Sequence, residues 1–353
     1  MSSRLPSLKR FFLLIVLAAA VFGFGSAATW IAFGILADRE ALAVAEAQDA
    51  AALWMEATDR FERTTLADPF LLPVAASGNA AEIYWGAGTN PGIDCPLPYR
   101  LRLFSDAAYQ RWPEAIANAA GCPRLDDLVK AAGLPRLDLS AQLAVDDPDF
   151  DLFATGDFFR KPEQALYALL ARAHARIEKR DFASAERDAR AVVTAGRQFL
   201  WQSPDLNGAF MGISLMTAGL DHLRELHERR GDARLAAAAT EARDSLHSIY
   251  RGMNKVLAVA QGTSTFPTLL RYTVAAAENE GLPLGLRSTL VVFLGYGHIG
   301  HSTERLLWPS RVRARALARL EHQRELLPAV VQARKGLALN WFERKDLATQ
   351  WNL

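Results

Sequence analysis

Hydrophobic and polar positions divide this chain into four textures. Residues 11–37 form an apolar run of about 27 residues without a charge, behind a basic start of Arg4, Lys9 and Arg10. A helix of about 20 residues crosses a ~30 Å hydrocarbon layer, so the run predicts a membrane-spanning helix with some tilt. Residues 38–67 are rich in Ala and Glu, with apolar positions at Leu42, Leu53, Trp54 and Phe61, and predict a helical stalk. Residues 68–160 are interrupted by prolines, among them Pro69, Pro73, Pro91, Pro96, Pro98, Pro135 and Pro148. Short helices are expected there at 113–120 and 123–132, each opened by a proline, which suits a first helical turn. From 161 to 353 helical periodicity takes over. Leu166, Leu169, Leu170, Ala173 and Ile177 line one buried face, and Phe182, Ala185, Ala189, Val192 and Val193 a second. Further helices are expected at 209–229, 232–259, 265–280, 284–296, 309–326, 328–339 and 341–350. The fold class this predicts is all-α: an N-terminal transmembrane helix, then an irregular, solenoid-like helical domain.

The apolar run also sets an expected address. Basic residues stay on the cytoplasmic side, and the downstream flank of Asp38, Arg39 and Glu40 has no basic excess. The expectation is residues 1–10 inside and the body outside, as for a bacterial-type inner membrane protein with a periplasmic domain. A cleaved signal peptide is the rival reading, with residues 11–22 as its apolar region and Ser26-Ala27-Ala28 as its small-residue site. Residues 29–37 stay apolar past that cut, which favours the anchor. Within the span Ala19, Gly23 and Ala27 recur every four residues, a face on which a second membrane helix packs closely. An Ala-rich span with chance spacing produces the same pattern.

Charge and composition narrow the partners. Hydrophobic residues make up 50% and charged residues 22%, which excludes a disordered chain. The net charge of +1 hides an asymmetry: residues 38–160 hold 20 acids against 10 Lys and Arg, and residues 161–353 hold 19 against 27. In an extracytoplasmic body that basic excess points to a protein or lipid surface and away from nucleic acid. The two cysteines, Cys95 and Cys122, flank a Pro- and Gly-containing stretch and are expected to pair. Closing that loop stabilises a fold by about 3–4 kcal/mol in the chain-entropy view. A redox or metal pair needs close spacing such as C-x-x-C, which is absent.

Lys179-Arg180-Asp181-Phe182-Ala183-Ser184-Ala185 resembles the turn of a tetratricopeptide repeat, with Phe182 and Ala185 at its aromatic and small positions. Arg180 stands where Gly is usual, and Ala189 where an aromatic is common. Arg230-Gly231-Asp232-Ala233-Arg234-Leu235-Ala236 echoes it about 51 residues on, against the 34 of that repeat. The resemblance implies stacked helical hairpins that hold a peptide or protein on a concave face.

Chemical motifs are sparse. His298 and His301 lie three apart in a Gly-rich segment and are weak metal candidates, since no acid or Cys accompanies them at short spacing. Asp147, Asp149 and Asp151 alternate like the start of a calcium loop, but the sixth and twelfth positions are Leu152 and Phe158 in place of Gly and Glu. His222 and His227 are turned ~140° from each other on a helix and read as surface histidines. Arg311, Arg315 and Arg319 form a basic stripe, and Trp341 and Trp351 with Phe342 are aromatic anchors, for the core or for a partner. Walker, Rossmann, G-x-S-x-G and H-E-x-x-H patterns are missing, so no cofactor and no catalytic residue is implied. The functional expectation is a scaffold that binds envelope or membrane proteins. Its alternative is a metal-binding or hydrolytic protein centred on His298 and His301.

Overall fold

The computed structural model describes residues 12–32, 34–35, 69–87, 90–92, 95, 113–143, 156–262, 281–300 and 320–337. The fold is all-α, with one apolar helix near the N-terminus ahead of a helical body. Helix α1, Phe12–Ala32, is 21 residues long and apolar enough to cross a membrane. At 1.5 Å per residue it is about 31 Å long. Its hydroxyls are satisfied within the helix: Ser26 Oγ donates to the Phe22 carbonyl and Thr29 Oγ1 to that of Gly25, each at 2.7 Å. Ala19, Gly23 and Ala27 lie on this helix and are exposed.

The body begins with a short helix, α2 (Ala81–Tyr84), and two two-residue antiparallel strands, β1 (Gly86–Ala87) and β2 (Asn90–Pro91). Two eight-residue helices follow, α3 (Pro113–Ala120) and α4 (Leu125–Ala132). Pro113 occupies the first turn as expected, whereas Pro123 falls before α4 and Arg124 is its N-cap. Cys95 and Cys122 stand at disulfide distance with Cα atoms 5.9 Å apart, which joins the segment after β2 to the end of α3.

Four long helices form the centre: α5 (Gly156–Glu178), α6 (Phe182–Gln202), α7 (Leu206–Arg230) and α8 (Ala233–Gly262). The connections are two or three residues, so neighbours run antiparallel and α5 and α7 run the same way. An aspartate ends each turn and caps the helix that follows. Asp181 accepts from Ser184 N at 3.3 Å, Asp205 from Gly208 N at 2.7 Å and Asp232 from Leu235 N at 3.0 Å. The chain leaves α5 through Arg180 at φ 61° and α7 through Gly231 at φ 77°, both left-handed. That conformation closes a helix C-terminus and costs nothing at glycine. Helix α7 packs against α5, α6, α8 and α9, most extensively against α6. There a Cβ on Gly212 would come within 2.5 Å of the Gly196 carbonyl oxygen.

Helix α9 (Leu284–Gly300), a 3₁₀ turn at Arg324–Leu326 and α10 (Leu327–Leu337) complete the described body. One buried cluster runs from Phe70 through α2, α4, α5, α6, α7 and α8 to Leu290 of α9. Aromatic rings tie its early part together: Trp85 stacks on Phe158 at 4.6 Å, donates through Nε1 to the Phe158 carbonyl, and meets Phe159 and Phe199 edge-on. Tyr84 is 1% exposed, and burial pushes its hydroxyl well above the ordinary phenol pKa.

Candidate functional site

A cleft of about 890 Å³ opens where the α6–α7 turn meets α9 and α10. One wall is residues 136–143, the chain leaving α4, and glutamines of α6 hold it. Gln198 Nε2 donates to the Ala132 carbonyl at 3.0 Å and to that of Leu134 at 2.5 Å. Gln202 Oε1 accepts from Leu137 N at 2.5 Å, and its Nε2 donates to Pro135 O at 3.3 Å. The opposite wall is the start of α9 with the 3₁₀ turn. Arg287, 6% exposed, donates through Nη2 to Gln323 Oε1 at 2.6 Å and to Glu325 Oε1 at 3.2 Å. Side-chain hydrogen bonds thus tie each wall to the helix behind it or to the adjoining turn.

Apolar groups line most of that gap, including Leu137, Leu139, Trp201, Leu284 and Leu327. Leu327 is 44% exposed there. Arg136, Arg287, Arg324, Asp138 and Glu325 also line it, with Arg287 paired to Glu325. An apolar surface with charges of both signs at its border suits a polypeptide segment that buries side chains and pairs polar groups at the edge.

A second polar feature lies within the helix stack. Asp188 on α6 is fully buried, and Arg172 on α5 grips it through Nε and Nη2 at 2.9 and 2.8 Å. Arg176 adds a third bond at 2.5 Å, and Arg172 Nη2 also reaches Asp126 on α4 at 3.0 Å. Burial raises the Asp188 pKa, and the two guanidinium groups oppose it. With three charge-assisted bonds on one carboxylate, the ionised form prevails at neutral pH. The group cross-links three helices and leaves no lone pair aimed at solvent for chemistry, so its role is structural.

Ala185 is fully buried beside Ile177 and Leu226, with Phe182 partly buried against them, at the contact of α5, α6 and α7. His298 falls within α9, where the backbone alone is described, and His301 lies outside the described residues. Asp147, Asp149, Asp151, Arg311, Arg315, Arg319, Trp341 and Trp351 also lie outside them. The surface reading of His222 and His227 is corrected: they are 4% and 1% exposed. Helix α7 is packed by neighbours on several sides, so a 140° turn carries a side chain from one buried face to another. Burial lowers the pKa of both rings.

Sequence reasoning missed the cleft, because its walls come from segments more than a hundred residues apart. Asp188 was missed as well, although an acid between Ala185 and Ala189 in an apolar stripe is a signal of a buried charge with partners on a neighbouring helix. In comparisons with known proteins, no family model, no curated protein and no solved structure matches this chain.

Proposed function

We propose that this chain is a membrane-anchored helical scaffold that seats a polypeptide segment of an envelope or membrane protein in its cleft. The observation that carries the reading is the cleft itself, apolar inside, charged at its border and pinned on both walls. The order of helix packing supports it, since antiparallel hairpins that stack through α5 and α7 are the layout of peptide-holding helical repeats. Helix α1 supplies the tether, and the basic residues before it set the N-terminus inside and the body in the periplasm. Residues 11–37 are then the contact with lipid, and the stripe of Arg311, Arg315 and Arg319 is a further surface for an acidic partner.

Extraction in mild detergent tests this reading. The wild-type chain is expected to elute with a second polypeptide at fixed stoichiometry, and Leu327→Arg to elute without it while keeping its helical circular dichroism. Recovery of the same partner ratio from Leu327→Arg, or of no second polypeptide from either, contradicts it.

A further inference from the structure

The parallel packing of α5 and α7 brings two histidines and two glutamates together near the C-terminal ends of both helices. His174 and Glu178 lie one turn apart on α5, and His222 and Glu225 three residues apart on α7, so each pair shares a helix face. His174, Glu178 and Glu225 each place a potential ligand atom within 4.8 Å of the others. The His222 ring stands edge-on to that of His174, centroids 6.5 Å apart. Its Nδ1 is 2.9 Å from the Ala218 carbonyl oxygen, which only accepts, so Nδ1 carries the proton and Nε2 the lone pair.

The place already attracts a cation. Arg229 bridges the two carboxylates, Nη1 to Glu178 at 2.6 Å and Nη2 to Glu225 at 2.7 Å. Glu178 is the last residue of α5 and Glu225 lies near the end of α7, where the helix dipoles add negative potential. A guanidinium satisfies oxygens, but a mixed nitrogen and oxygen set is the preference of borderline metals such as zinc, and all-oxygen sets suit calcium and magnesium. Ligands on a tetrahedral ion at about 2.0–2.1 Å are about 3.4 Å apart, so separations of up to 4.8 Å must contract by at most roughly 1.4 Å. Glu178 is exposed and its side chain has the freedom to supply that movement.

We propose that His174, Glu178 and Glu225, with water completing the shell and the His222 ring packed beside His174, bind one zinc-like divalent ion that displaces Arg229 from the carboxylates and clips α5 to α7. Two carboxylates balance the ion's charge, and Arg229 swings out to solvent. This site is separate from the cleft and does not depend on the scaffold reading.

The test uses the full-length chain in detergent, without a polyhistidine tag, stripped by chelator and titrated with zinc chloride by calorimetry and thermal melting. One equivalent is expected to bind and raise the melting midpoint. His174→Gln and Glu178→Gln should each weaken binding by at least ~10-fold. Glu178 is exposed, so that variant keeps the test valid should His174→Gln fail to fold. Arg229→Gln should tighten binding, because it removes the competing cation, whereas a purely structural ion pair would give only a less stable protein. His298→Ala with His301→Ala should leave the titration unchanged. The proposal is overturned if wild type and Arg229→Gln take up no stoichiometric zinc, if Glu178→Gln binds with undiminished affinity, or if removing His298 and His301 abolishes binding.

Discussion

Two turns of the same shape are closed by different residues. Arg180 and Gly231 both follow a helix in the left-handed region, and only glycine does so without a Cβ clash. Open space surrounds the position a Cβ would take on Gly231, so the penalty there is conformational alone. Arg180→Gly is therefore expected to stabilise the fold by about 1 kcal/mol, and Gly231→Ala to destabilise it by a similar amount. Urea unfolding with an unchanged denaturant slope measures both; a destabilising Arg180→Gly would show that its side chain contributes more than its backbone costs. The turn motif has Arg180 standing where glycine is usual, and its φ of 61° is the conformation that favours glycine there. His222 and His227 show the converse. Their spacing was read correctly, but exposure is set by how many helices surround α7, which spacing along one helix does not contain.

The central helices were the most legible elements, because a buried face written every three or four residues survives in the sequence alone. Expected helices at 209–229, 232–259, 284–296 and 328–339 appear as Leu206–Arg230, Ala233–Gly262, Leu284–Gly300 and Leu327–Leu337. Those at 265–280 and 341–350, like the stalk at 38–67, fall outside the described residues. What periodicity does not reveal is where two helices approach most closely. The turn motif points to Ala185, yet Gly196 and Gly212, about two turns from the α6–α7 connection, also lie so close that neither has room for a Cβ. A Cβ on Gly212 would meet the Gly196 oxygen and Leu200 N at 2.5 Å, both backbone atoms that a rotamer change does not move. Gly212→Ala is expected to cost about 1–3 kcal/mol in spite of alanine's higher helix propensity. A urea midpoint equal to or above that of wild type would place the helices farther apart than the structure has them.

At the scale of the molecule, an apolar helix precedes a helical body whose largely apolar cleft lies beside the main buried cluster. Its lining draws on residues from Arg136 to Pro328, a combination that no local pattern announces. The most direct measurement installs a photo-crosslinking amino acid at Leu327, inside the cleft, and at Tyr250 on α8 as an equally exposed control, 44% against 45%. Illumination of membranes carrying the full-length chain should yield a discrete polypeptide adduct at Leu327 and not at Tyr250. Equal adducts from both positions, or adducts at Leu327 of lipid or small molecules alone, would contradict a cleft built to hold a polypeptide.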